Sequence, residues 1–359
     1  MISILQVIDG KSFGGIAKLM FDVDKNISGD IKMDFLTATN IYSNWNNLNI
    51  SRNSFKGRMI YNYRLFKFLR KNTYHIIHIN SGAFFFTFQV LIISKLSGIK
   101  KVIVHSHNTP HISNFKKMLI KCLNPLYCKM IDKKLTCSNM AAKSLFTKME
   151  DVVLIKNGIN VDNFKYVESI REEYRKAMDI DGKVVYGNVG RLFKQKNHEL
   201  LIDIFYEIQK KQDAVLLLIG DGELEHFLKE KVNKLNIDDK VLFLGFRKDV
   251  NNILNAIDIF IFPSLYEGLP ISIIEAQTNG LPVFVSKGVS DEAKVTEDFF
   301  KINSNDSKIW AKQIIDTNIN KAKRENAYIE TINEGYDIKH TTEQLEKVYR
   351  ELVIIEEKH

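Results

Sequence analysis

The stretch IDIFIFPSLYEGLPISIIEAQTNGLPVFVS, residues 257–286, decides how this chain is read. It opens on an apolar run, Ile257 to Phe262, interrupted only by Asp258. A short run of that kind fits a strand buried on both faces of a parallel sheet. Pro263 and Ser264 stop the strand, and Glu267-Gly268-Leu269-Pro270 forms a loop. Ile271, Ile274 and Ala276 then fall at helical spacing. Proline is tolerated in a first helical turn, where its missing N–H would have had no partner. Strand, loop and helix N-terminus together make the place where parallel sheets bind anions.

Two carboxylates bracket that loop. Glu267 lies in the loop and Glu275 one to two turns into the helix, with seven residues between them. A glutamate at the second position can accept hydrogen bonds from two neighbouring hydroxyls, as on a ribose. The backbone N–H groups from Gly268 to Ile271 can face a sugar or phosphate, and Gly268 keeps a side chain out of the way. Acid pairs at this spacing are common in any protein, so the strand and loop around them are what single this pair out.

Outward from this stretch the chain alternates strands with helices, the pattern of a parallel α/β sheet. Upstream, a strand at Val184–Val189 runs into Gly190-Arg191-Leu192-Phe193-Lys194-Gln195-Lys196, with a helix from about Asn197. Arg191 and Lys196 on such a strand-to-helix loop can clamp a diphosphate. Ala214–Ile219 reads as a strand, and the Gly220-Asp221-Gly222-Glu223 turn after it either faces a nucleotide or only starts the next helix. Val241–Leu244 leads to Gly245-Phe246-Arg247.

In the first half, strands are expected at Ile2–Ile8, Met33–Thr37, Ile76–Ile79, Val102–Val104 and Leu135–Ser138. The glycine-rich turn of residues 10–15 follows the first of them and includes Gly14 and Gly15. It lacks the G-x-G-x-x-G dinucleotide spacing, and a tight packing turn and a ligand loop both fit it. His105-Ser106-His107-Asn108 reads as a loop at the C-terminal end of its strand, where ligands bind in such sheets. Residues 55–71 and 115–134 are basic and partly amphipathic, and Pro125 is expected to kink or end the second helix. The Asn157-Gly158 turn marks the approach to a second domain, and Thr341–Ile355 reads as a final helix.

The chain has 359 residues, room for two domains. Its three cysteines, Cys122, Cys128 and Cys137, show neither metal spacing nor an even disulfide set, which fits a reducing cytosol. Met1 leads straight into a strand pattern rather than a signal peptide. The longest apolar run, Ala83 to Ser94, is too short to span a bilayer. Charge is uneven: residues 1–150 carry 22 Lys and Arg against 7 Asp and Glu, and the rest 29 against 36. A first half at +15 points to an anionic surface, and the alternative is that its lysines only keep it soluble.

The segment from about Val185 to Val285 resembles the E-x7-E element and the G-R-L-x-x-x-K-G loop of the GT4 family, retaining nucleotide-sugar glycosyltransferases of the GT-B fold. Asn197 stands where that loop usually has glycine. The resemblance implies two Rossmann-like domains with a cleft between them. It places an acceptor domain at 1–165, joined by a returning helix at 341–359, and a nucleotide-sugar domain at 166–340. It implies Arg191 and Lys196 on the donor diphosphate, Glu275 with Gly268, Leu269 and Pro270 on the ribose and sugar, and Glu267 and His107 as catalytic residues. His105 is the alternative to His107, and Gly14-Gly15 match a double glycine beside acceptor and donor. The implied reaction moves a sugar, with UDP the expected nucleotide, to a saccharide on a lipid carrier during bacterial capsule or exopolysaccharide assembly. An anionic inner membrane face is the expected site of attachment.

No metal or other cofactor is expected, because the two cations can neutralise the departing diphosphate. Asp22-Val23-Asp24 and Asp179-Ile180-Asp181 have the form of a metal-binding acid pair, but the first falls in a predicted helix and the second in a polar turn. An epimerase of the same fold would need further acid–base residues, which are not apparent. A non-catalytic partner subunit would not need Arg191, Lys196, Glu267 and Glu275 together. No nucleic-acid module is visible.

Overall fold

The computed structural model describes residues 1–9, 15–37, 45–47, 55–107, 114–146, 148–317 and 321–357. Gly14 and Asn108 lie outside them. Packing divides the chain into two units, Met1–Gly158 with Ile338–His359, and Ile159–Asp337.

The first unit holds strands β1 (Ile2–Ile8), β2 (Ile31–Thr37), β3 (Trp45–Asn47), β4 (Ile76–Ser81), β5 (Lys101–Ser106), β6 (Lys133–Thr136) and β7 (Val152–Leu154). They form one sheet in the order β3-β2-β1-β4-β5-β6-β7, every pair parallel. Both faces are covered. Leu5, Val7, Ile77, Ile79, Val102 and Val104 point into one core, and Ile4, Ile8, Ile76 and Ile103 into another. Strands buried this way on both faces carry apolar side chains at successive positions, which is why they read as unbroken runs.

Helix Ile338–Glu357 belongs to this first unit. Ile338, Leu345, Val348, Tyr349 and Leu352 recur at three- and four-residue spacing and are buried in the second of those cores. Glu346 accepts from the Ser28 N–H and Oγ at 2.6 Å each. Arg350 reaches Asp30 through two bonds of 2.6 and 2.9 Å.

The second unit holds β8 (Val184–Val189), β9 (Ala214–Ile219), β10 (Val241–Gly245), β11 (Ile259–Phe262), β12 (Val283–Ser286) and β13 (Phe299–Ile302). Their order is β10-β9-β8-β11-β12-β13, again parallel throughout. The two sheets and their covering helices are the two Rossmann-like units expected of the fold class. From β8 the chain moves to one side of the sheet and from β11 to the other, so the loops after β8 and β11 open a crevice at the switch point.

Asp258, the one acid in the apolar run, sits at the opposite edge of β11 and anchors helix Glu168–Ala177. Arg171 pairs with its Oδ1 at 2.5 Å, and Arg175 and the Val185 N–H (2.9 Å) with its Oδ2. Burial pushes this carboxyl up, but the Val185 N–H and the two arginines outweigh it and hold it below the usual range. Arg324 lies beneath and donates to Leu254, Ile257 and Asn279 carbonyls at 3.0–3.1 Å, satisfying the ends of two helices.

Two sequence expectations change. Of the two outcomes expected at Pro125, an end to the helix is not seen, since it runs from Asn114 to Lys129. The proline costs one backbone bond, and Tyr127, fully buried beyond it, holds the final turn in the core. β5 runs to Ser106 rather than Val104, so His105 lies in the sheet and not in a loop. The helix expected from about Asn197 starts at His198, with Asn197 before it at φ 55°, ψ 44°.

Candidate active site

At the second unit's switch point, the loop after β8 and the loop after β11 are stapled together. The Leu265 N–H donates to the Gln195 carbonyl at 2.8 Å, and Asn197 Nδ2 to the Pro263 carbonyl at 3.3 Å. Lys196 Nζ lies 2.8 Å from Glu267 Oε1. It also sits 4.7 Å above the Phe262 ring, which fixes its stem against the strand end. Both partners are largely buried, at 19 % and 11 % side-chain exposure, so water screens the pair poorly. The Glu267 N–H donates to the Gly288 carbonyl at 2.9 Å, tying in the loop after β12 as well.

Asn197 takes the left-handed conformation between Lys196 and the helix. Glycine does this without penalty, and asparagine is among the few other residues that visit it readily. Asparagine can therefore stand at this position, where the G-R-L-x-x-x-K-G loop it resembles has glycine, with little backbone strain.

Arg191 is exposed at the mouth of the same loop, its guanidinium 4.6 Å from the Phe193 ring. The Gly220–Glu223 turn packs beneath. The Leu192 N–H donates to the Asp221 carbonyl at 2.8 Å, and a Cβ on Gly220 would lie 2.2 Å from the Gly190 carbonyl oxygen. The turn therefore supports the Arg191 loop, and any side chain at Gly220 would displace it. Helix Ile271–Thr278 follows Pro270, with no side chain capping its first turn. Glu275 is buried in this helix at 6 % exposure. Arg191, Lys196, Glu267 and the Gly268–Pro270 loop thus lie on the two loops of one crevice, and Glu275 on the helix behind it.

His107 belongs to the first unit, one residue past β5. It is buried, with Nε2 3.1 Å from Asn80 Oδ1 and Nδ1 3.0 Å from Asn157 Oδ1. Asn80 in turn donates to Gln6 Oε1 at 2.8 Å, and Gln6 to the Tyr349 hydroxyl at 3.0 Å. The same hydroxyl lies 2.8 Å from His78 Nδ1. The His105 ring lies between the other two, stacked on His78 with centroids 5.4 Å apart and tilted against His107 at 3.9 Å. Burial pushes His78 down to about 3 and His107 to about 4, and holds His105 well below its ordinary value. Gly15 begins the helix Gly15–Asn26. Asp22 and Asp24 lie on that helix, and Asp179 in a left-handed turn before β8.

Of the partners of His107, Asn80 went unremarked in the sequence, and Asn157 was read there only as part of the turn towards the second domain. Only the strand register could have found Asn80, which pairs with His105 across β4 and β5. A groove of about 610 Å³ lies elsewhere, at edge strand β13 between Phe300 and Ile309, and contains none of these residues.

Residues 170–334 match the family described as glycosyl transferases group 1. Over 311 residues the chain is 28 % identical to the UDP-Gal:alpha-D-GlcNAc-diphosphoundecaprenol alpha-1,3-galactosyltransferase of Escherichia coli, covering 81 % of this chain and 79 % of that protein. It is 26 % identical to the amylovoran biosynthesis glycosyltransferase AmsD of Erwinia amylovora, covering 83 % and 84 %. Among solved structures, Anabaena HepE in complex with UDP and glucose superimposes with a TM-score of 0.81 at 17 % identity, over 98 % of this chain and 100 % of that one. The protein is a glycosyltransferase of the GT-B fold, with its group 1 domain in the second unit.

Proposed function

We propose that the chain transfers a sugar from a UDP-sugar to a lipid-linked saccharide during surface polysaccharide assembly, with retention of anomeric configuration. The observation that carries this reading is the Lys196–Glu267 pair at the switch point of the second sheet. It brings a cation for the diphosphate and a carboxylate for the sugar to one crevice. In this reading Arg191 and Lys196 hold the diphosphate, Glu275 the ribose, and Glu267 with the Gly268–Pro270 backbone the sugar. The first unit takes the acceptor, with His107 and Gly14-Gly15 as its contribution. Departing phosphate assists deprotonation of the acceptor, so no separate base is needed, and no side chain is assigned as a nucleophile.

The nucleotide and acceptor rest on likeness. The Escherichia coli relative is named for UDP-Gal and a diphosphoundecaprenol acceptor, AmsD for amylovoran biosynthesis, and HepE was solved with UDP. Thermal-shift titration against UDP-, GDP- and ADP-sugars tests the donor: stabilisation by UDP-sugars is expected, and preference for another base overturns that choice. Transfer is also proposed to proceed without a divalent metal. Activity should persist in excess EDTA, and full loss restored by Mn²⁺ or Mg²⁺ would refute it.

Peripheral attachment to an anionic membrane face belongs to the same proposal. Among the described residues no helix is long and apolar enough to cross a membrane. Helix Asn114–Lys129 exposes Phe115 (70 %), Met118 (60 %) and Leu126 (55 %) beside exposed Lys116, Lys117 and Lys121. Helix Phe55–Lys71 exposes Met59, Tyr63 and Phe66, while Phe68 packs against the core. Apolar groups flanked by lysines suit shallow insertion among anionic headgroups.

A further inference from the structure

Gln195 stands between the two donor loops and has no assigned role. Its side-chain amide donates to the Tyr266 carbonyl at 2.9 Å and to Glu267 Oε1 at 3.2 Å. Its main-chain carbonyl accepts from the Leu265 N–H at 2.8 Å. One residue thus grips the loop at 265, 266 and 267 in succession. Glu267 Oε1 has two donors of different character: this neutral amide, and Lys196 Nζ at 2.8 Å.

The two donors respond differently to an arriving diphosphate. Its oxygens compete for the ammonium group, a point charge on a flexible stem with three rotatable donors. They compete far less for an amide already committed to the neighbouring carbonyl. When Lys196 turns toward phosphate, the Glu267 carboxylate would lose its strongest partner and swing, unless something else held it. The Glu267–Gly288 bond fixes the main chain at 267 but does not aim the side chain.

We propose that Gln195 is a positioning residue that keeps the Glu267 carboxylate aimed at the donor sugar while Lys196 serves the diphosphate. The inference rests on the donor-site reading above. Lys196 and Glu267 can then act at once, because neither depends on the other to stay in place.

The test uses the full chain with Gln195→Met, similar in length but without a donor, and Gln195→Glu. UDP affinity is read by calorimetry, and turnover by UDP release from UDP-galactose or UDP-glucose, whichever is used. Misplacing a group in an active site by about 1 Å can cost on the order of 10²-fold in rate. Gln195→Met is therefore expected to lower kcat at least tenfold, on the order of that loss, while UDP Kd stays within about twofold. Gln195→Glu sets a second carboxylate against Glu267, and such a pair shares one proton at low pH. Its turnover should recover toward the wild-type rate as pH falls, when the added acid can again donate. A folding defect would not produce that recovery, and this variant carries the test should Gln195→Met lose the fold. Wild-type kcat in Gln195→Met, a parallel loss of kcat and UDP affinity, or no acid-side recovery in Gln195→Glu overturns the proposal. Arg191→Ala, read alongside, separates the two failures. If it keeps full UDP affinity, the donor-site reading is wrong. If it loses affinity while Gln195→Met keeps full kcat, only the role of Gln195 is wrong.

Discussion

Glu267 is reached from three directions: by Lys196, by Gln195 and, through its own N–H, by Gly288. Its place on the loop after β11 was readable from the apolar run and the Gly-Leu-Pro that frame it. Its partner was not, because Lys196 lies 71 residues earlier and only the order of β8 and β11 in the sheet makes them neighbours. In the donor-site reading, Arg191→Ala, Lys196→Ala and Glu275→Ala each remove a charge-assisted contact and should weaken UDP binding by about 1.5–3 kcal/mol. Calorimetry checks this, and near-wild-type affinity in all three would refute the assignment. His107 makes a second prediction. With His78 and His105 it is buried in the neutral form. The unfolded chain gains protons as pH falls through about 6.5, while folded His107 does not until about 4. Stability is therefore intact above the unfolded value and is lost as pH falls from there toward the folded one. The melting temperature should drop between pH 7 and 4.5, and His107→Asn should flatten the slope. An unchanged slope in that variant would mean that His107 is not the group responsible.

At the scale of elements, apolar runs located nearly every strand, because strands covered on both faces leave no room for polar alternation. They fixed the ends less well. β5 outran its expected end because His105 and Ser106 are polar, yet both are buried in the sheet. Burial of such residues depends on partners from other elements, which no local pattern displays. Helix Asn114–Lys129 shows the reverse: its basic face was legible, but which apolar groups face outward was settled only by packing. If that face meets a membrane, the full chain should co-sediment with anionic and not neutral vesicles, and high salt should release it. Lys116, Lys117 and Lys121 changed together to glutamate should abolish binding, with the melting temperature unchanged since all three are exposed. Equal indifference to both vesicle types at low salt would remove the membrane from the proposal.

For the molecule as a whole, the alternation of strand and helix announced two parallel sheets, and the fold follows from that alternation. What closes the first unit is helix Ile338–Glu357, whose Tyr349 hydroxyl meets both Gln6 and His78. The second unit is a continuous segment whose ends pair with each other, Ile159 with Asp337. Residues 159–337 produced separately should therefore fold and melt cooperatively, whereas a chain stopped after Asp337 should lose the first unit's transition. Calorimetry of both fragments decides it, and a native-like first transition in the shortened chain would show that the helix is dispensable. The order of synthesis makes this arrangement matter. The first unit is the earliest made and the last completed, because its closing helix follows the whole of the second. At about 5–20 residues per second, that delay is on the order of ten seconds or more. Throughout it the nascent first sheet presents a face covered in part by helix Gly15–Asn26, and otherwise apolar but for a few buried-to-be polar groups, to chaperones and proteases. A nonsense codon within the closing helix would then abolish the half of the protein that had been translated first.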